Sequence, residues 1–207
     1  DAPLSDLCAT VIGATRDDIT FDKLFYEDIL YVAQNSLVDS AATADPANPE
    51  DGKVAPLDDK NNYHYEQLEN LEVSLKDSLE KTEQSKALTR REVAGIFTTR
   101  AWAKVNYEMG TNRAAIASTV NNFLCKDMEQ MMDTTVGDSR VRRDIPRSPG
   151  GDSNLYKNRC QGCHAGMDGL AGAFAYLDWD DDQTTILQNL EGQVVPKYNV
   201  NNHIYPD

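Results

Sequence analysis

The chain has 207 residues, 40% of them apolar and 26% charged, which suits one globular domain or a domain with a small appendage. These proportions exclude collagenous, coiled-coil and wholly disordered chains, and no apolar run approaches the ~20 residues of a membrane helix. The 34 acids outweigh the 20 bases to give a net charge of -14, so nucleic acid and anionic lipid are poor partners for the molecule as a whole. Asp1 is the first residue and no apolar signal region precedes it. The expectation is a mature form after cleavage, or a fragment of something longer.

Helical spacing of Leu24, Phe25, Ile29, Leu30, Val32 and Ala33 predicts a first helix over Phe21 to Val38, with Thr20 or Asp22 as N-cap. From Asp39 to Asn62 the sequence changes to Ala-Asp-Pro-Ala-Asn-Pro, then Asp-Gly, then Pro56 and a charged stretch, and reads as a long loop. Leu68, Leu71, Leu75 and Leu79 then share one face of an amphipathic helix. Two further helices are expected. One runs from Arg90 to Glu108 on Val93, Ile96, Phe97, Ala101 and Trp102, and stops at Gly110. The other runs from Asn112 to Met132 on Ile116, Val120, Phe123, Leu124 and Met128. After Gly137 periodicity is lost through a basic, Pro/Gly-rich stretch, and a short helix is expected near Ser153, carrying Cys160 to His164. No alternating strand and no internal repeat is legible. The expected architecture is mainly α: one irregular helical domain over 1–207, a helical scaffold over 1–138 with a long loop near 39–62, and a loop-rich attachment segment over 139–207.

Cys160-Gln161-Gly162-Cys163-His164 is the segment that carries chemistry. C-x-x-C-H is the attachment signature of c-type haem. On one helical turn two thiols reach the two vinyl groups of a porphyrin, and the histidine next in line becomes the proximal iron ligand. With four Cys and three His in the chain, chance gives this order roughly once in a thousand sequences. A structural zinc site would need a second ligand pair, which Cys8, Cys125, His64 and His203 do not form. A thioredoxin-like pair would sit beside a βαβ pattern, and none is legible; a plain disulfide or thiol pair is the remaining alternative.

Residues Arg159 to Asp180 resemble the haem segment of a family of secreted bacterial c-type cytochrome proteins, often large and multidomain. The resemblance rests on Cys160-Gln-Gly-Cys163-His164, Gly166-Met167-Asp168-Gly169 and Ala173-Phe174-Ala175-Tyr176. Upstream it extends to Thr98-Thr99-Arg100-Ala101-Trp102-Ala103, Gly110-Thr111-Asn112-Arg113-Ala114, Asn122 to Glu129, Arg147 to Ser153 and, more weakly, Phe21 to Phe25. Many relatives carry an additional N-terminal haem module, and this chain has no second C-x-x-C-H. Relatives also usually continue past the position of Asp207, which gives the expectation of a processed or incomplete chain. The resemblance implies electron transfer and names neither substrate nor redox partner.

The distal iron ligand must come from a remote segment, because Met167 lies three residues past His164 on the proximal side. His64, between Tyr63 and Tyr65 beyond the long loop, is the first choice; Met128 is the runner-up, with Met109, Met131, Met132, His203 and an open iron as alternatives. Haem attachment is extracytoplasmic, so a disulfide between Cys8 and Cys125 is expected, against two buried free thiols. Arg140, Arg142, Arg143 and Arg147, with Lys157 and Arg159, are candidates to pair with haem propionates, against a solvated loop. Asp178, Asp180 and Asp182 open like a calcium loop, but Gln183 and Asn189 stand where that loop wants Gly and Glu, which favours an acidic surface loop.

The function expected is a monohaem c-type cytochrome that transfers electrons in the periplasm or at the cell surface. Its alternatives are a peroxidase-like haem enzyme with an open distal site and a structural haem subunit of a larger redox assembly. Redox partner proteins of basic charge are the expected partners.

Overall fold

The computed structural model describes residues 4–42, 52–88, 93–107, 113–141, 145–174, 177–180 and 185–188. It is mainly α-helical, with many short and irregular elements. The chain divides into two compact units. One comprises Asp1–Val105 and Trp179–Gln188, and the other is drawn from Asn106–Asp178.

The first unit opens with a helix the sequence reading missed, α1 over Asp6–Arg16. Its signals are present: Ser5 is the N-cap, its hydroxyl accepting from the Cys8 N–H at 3.4 Å, Asp6 stands in the first turn and Arg16 in the last. Gly13 is required by packing. A Cβ there would lie 2.1 Å from the Tyr31 ring, so only glycine lets that ring seat against α1.

The helix expected over Phe21 to Val38 is not formed. Phe21–Phe25 is a 3-10 turn and Leu30–Ala33 is a strand, β1. Ile29, Leu30, Tyr31 and Ala33 are buried and Val32 is partly buried, and a short apolar run buried on both faces fits a strand as well as a helix when judged by periodicity alone. β1 pairs antiparallel with β2, Leu79–Thr82, in the register Leu30↔Thr82 to Ala33↔Leu79.

The leucine-rich helix breaks for a related reason. α2 covers Tyr63–Asn70, Glu72 takes a left-handed φ of 53°, and α3 is a single turn over Leu75–Ser78 that runs into β2. Leu68 and Leu79 are buried, but in a helix and a strand respectively. Within the long loop the Ala-Asp-Pro-Ala-Asn-Pro stretch lies outside the described residues. Val54 forms a parallel bridge with Val38 and is buried.

A short α4 over Gln84–Ala87 precedes the next expected helix, which is also shorter than read. Gly95–Thr98 is a 3-10 turn, and α5 begins at Arg100 and ends at Asn106. Its start is set from a distance: the Asp6 carboxylate accepts from the N–H groups of Arg100 and Ala101, capping the helix from α1. Arg90, Met109 and Gly110 lie outside the described residues. Strands Leu177–Asp180 (β3) and Thr185–Gln188 (β4) form a second two-stranded sheet. Asp178 and Asp180 thus fall on a strand rather than in a calcium-type loop; Asp182, Gln183 and Asn189 lie outside the described residues.

In the second unit α6 runs over Arg113–Leu124, shorter than the expected reach to Met132 because Cys125 takes a left-handed φ of 52°. The expected helix near Ser153 is formed. The Asp152 side chain accepts from the Asn154 N–H at 2.8 Å and starts α7, Ser153–Leu155. A π-helical turn over Tyr156–Cys160 leads into α8, Gln161–Leu170, and a 3-10 turn follows over Ala171–Phe174. Among the described residues no helix is long and apolar enough to cross a membrane.

Candidate functional site

Cys160 ends the π-helical turn, and Cys163 and His164 stand in the first turn of α8. At about 100° per residue, Cys163, His164 and Met167 share one side of α8 while Gly162, Gly166 and Gly169 occupy the other. The first side packs toward α6. Ile116 and Val120 of α6 meet Ala171, with Met128, Met167 and Phe174 around them. Cys160 packs instead beside Val141, Tyr156 and Ala165. The Cys163 thiol donates to the Met128 carbonyl at 3.5 Å. Burial pushes its pKa up, and the nearby Glu129, Asp127 and Cys160 add to that shift.

His164 is anchored through one nitrogen. Its Nδ1 lies 3.3 Å from Oδ1 of Asp168, one turn further along α8. The Asp168 side chain is 0% exposed, and Arg113 at the start of α6 grips it with two bonds, Nε to Oδ1 at 2.7 Å and Nη2 to Oδ2 at 3.3 Å. With Nδ1 donating to the carboxylate, the neutral imidazole carries its lone pair on Nε2. Nε2 has no partner among the described residues, and the His164 side chain is 21% exposed. This donor set fits c-type haem: two thiols and an imidazole whose ligating nitrogen is free while the other is held by an outer carboxylate.

The glycine side of α8 borders a cleft of about 330 Å³ lined by Met131, Val136, Arg140, Gly166 and Leu170. A Cβ on Gly162 would lie 2.4 Å from Met132 Cγ, and one on Gly169 would lie 3.2 Å from Arg140 Cδ. Met131 and Met132 therefore stand on the side of the helix away from Cys163 and His164. Of the candidate distal methionines among the described residues, Met128 alone stands on the Cys163 side.

His64 is placed quite differently from the expectation. It is buried on α2 in the first unit, where Nδ1 donates to the Ala55 carbonyl at 2.7 Å and Nε2 accepts from the Ala33 N–H at 3.0 Å. Neighbouring side chains of α2 do similar work: the Tyr65 hydroxyl donates to the Tyr31 carbonyl at 2.9 Å, and Gln67 Oε1 accepts from the Ala55 N–H at 2.7 Å. His64 and Tyr65 thus satisfy Ala33 and Tyr31 on the edge of β1 that β2 leaves open, while His64 and Gln67 together hold both backbone groups of Ala55. As folded, His64 has no nitrogen to offer an iron. His203 lies outside the described residues.

The expected disulfide is not formed. Cys8 and Cys125 are free thiols and both are exposed, Cys8 on α1 of the first unit and Cys125 at the end of α6 in the second. Neither the pairing nor its alternative of buried thiols describes them.

The basic candidates separate. Arg147 is a structural pin: it donates to the carbonyls of Ile145 and Val141, each at 2.8 Å, bonds Asp138 at 3.1 Å, and lies over the Tyr156 ring at 5.0 Å. Arg140 lies along the glycine side of α8. Lys157 and Arg159 are exposed, and Arg142 and Arg143 lie outside the described residues. Among the described residues no group of three or more His, Cys, Asp or Glu side chains is arranged to hold a metal ion by itself.

Asp168 and Arg113 are the site residues that sequence reasoning missed. The four-residue interval from His164 to Asp168 was a usable signal, since it puts both on one helix face. Arg113, 55 positions away, had no such signal. No family model, no curated protein and no solved structure matches this chain.

Proposed function

We propose that the chain is a monohaem c-type cytochrome that transfers electrons outside the cytoplasm. The supporting observation is that C-x-x-C-H lies at the start of a helix, with His164 Nδ1 fastened to a buried carboxylate and Nε2 left for a metal. Cys160 and Cys163 would hold the porphyrin through thioethers, and His164 would ligate the iron. Haem, when bound there, would supply a one-electron iron couple. The chain's own contribution is to fix the imidazole's tautomer and direction, so that little moves when the iron changes charge. Arg159, exposed beside Cys160, remains the candidate for a propionate. The resemblance to secreted bacterial cytochromes agrees with this reading and implies export, and the net charge of -14 favours docking to a basic redox partner.

The placement of His64 favours a second reading, in which the iron keeps an open distal position and the protein is peroxidase-like. His64 is spent on backbone groups, which leaves Met128 as the candidate among the described residues on the Cys163 side.

The test is expression of the full chain in a bacterium with c-type maturation, followed by an alkaline pyridine spectrum. Covalent haem that survives acidified organic solvent is expected, and it should disappear when Cys160 and Cys163 are both changed to Ser. Haem that extracts, or no haem at all, overturns the reading. Rapid carbon monoxide binding by the reduced protein would select the open-iron form.

A further inference from the structure

We infer that Asp168 and Arg113 are positioning residues that set the reduction potential of the iron bound to His164, an inference that rests on the haem reading above. His164 and Asp168 are one helical turn apart, so the contact is built into α8 itself. At 3.3 Å the bond is at the long edge of the N–H···O range, yet its acceptor is a carboxylate whose side chain is 0% exposed. Where water is excluded, a charge acts on its neighbour with little screening. Arg113 approaches the same carboxylate from α6, with Nε on the very oxygen that faces His164. The two donors therefore share Oδ1, and the guanidinium draws off part of the negative charge that the imidazole would otherwise feel.

Outer-shell partners fix ring orientation and raise the basicity of a metal-ligating histidine. An imidazole that donates to a carboxylate is richer in electrons at Nε2. It stabilises the oxidised iron relative to the reduced iron and lowers the potential. Arg113 opposes that effect, because it neutralises the carboxylate. The two residues consequently pull in opposite directions. A salt bridge serving only to hold α6 against α8 predicts otherwise: loss of either partner loosens the same contact and moves the iron the same way, or not at all.

The experiment uses the full, haem-loaded chain and redox titration with mediator dyes, with dithionite as reductant and ferricyanide as oxidant of the one-electron couple. Asp168→Asn keeps the shape and removes the charge; its reduction equilibrium should move about tenfold toward the ferrous form, ~59 mV for one electron. Arg113→Gln should move it the other way, and Arg113→Lys, which retains the charge, should fall between Gln and the parent. Thermal melts of each variant identify losses of packing. Shifts of the same sign for Asp168→Asn and Arg113→Gln, or no shift in either, overturn the inference. Should Asp168→Asn not fold, an Arg113→Gln protein whose potential is unchanged or raised does so alone. A parent protein without covalent haem would instead sink the haem reading, which the pyridine spectrum reports separately.

Discussion

His64 on α2 and His164 on α8 are both helical histidines, but their surroundings differ in how many nitrogens the fold consumes. His64 is buried, with one nitrogen donating to the Ala55 carbonyl and the other accepting from the Ala33 N–H. His164 is partly exposed, with one nitrogen held by Asp168 and the other without a partner among the described residues. A histidine whose two nitrogens both close backbone valences belongs to the fold's own hydrogen bonding. One anchored at a single nitrogen by a carboxylate keeps its other nitrogen for something outside that bond, which is the arrangement metal-ligating histidines use. Residue type and helical position do not separate these cases; the count of satisfied nitrogens does.

The comparison breaks most visibly under paired substitutions. His164→Ala should abolish the low-spin spectrum of the haem-loaded protein while leaving the first unit's stability intact. His64→Ala should do the reverse. It leaves two buried backbone groups without partners, at a cost of about 1–3 kcal/mol each, and should lower the urea midpoint while the spectrum stays as it was. Loss of the low-spin spectrum in His64→Ala would restore His64 as the distal ligand and remove the contrast.

A smaller effect sharpens the same point through pH. Burial holds the His64 pKa below its ordinary 6.5, and the bond to the Ala55 carbonyl only partly offsets this. The folded protein then keeps His64 neutral where the unfolded chain is already protonated. The stabilisation is complete above pH 6.5 and is lost progressively as pH falls from 6.5 toward the lower folded value. Denaturant midpoints of the parent should fall across this window more steeply than those of His64→Gln, which cannot titrate. Parallel pH curves would show that His64 is not held neutral.

The smallest expected effect concerns the two outlying cysteines. Cys8 and Cys125 are exposed and unpaired, so both should be alkylated in the native protein without reductant, and Cys8→Ser with Cys125→Ser should leave the melting temperature essentially unchanged. Mass analysis that finds one linked pair, or a large drop in stability, would reinstate the disulfide.

Residues close in sequence were read well where one local interaction dominates. Asp152 capping Ser153–Leu155 and the C-x-x-C-H turn are both set within a few positions, so the helix carrying Cys160 to His164 was legible. The run from Ile29 to Ala33 reads as helix in the sequence because apolar side chains on both faces, with Val32 alone partly exposed, blur the alternation that tells strand from helix. The start of α5 escaped because its cap is Asp6, more than ninety residues upstream, rather than a neighbouring residue.

The sequence by itself determined the C-x-x-C-H pentad, its helical setting and the mainly α character, since each depends on spacing within a few turns. Only the tertiary structure decided which nitrogens of each histidine the fold consumes. The partners involved, Ala33 for His64 and Arg113 behind Asp168 for His164, lie 31 and 55 positions from the residues they contact. Hydrogen-bond valence is satisfied through space, and a group's freedom to bind something else is whatever the fold leaves unused.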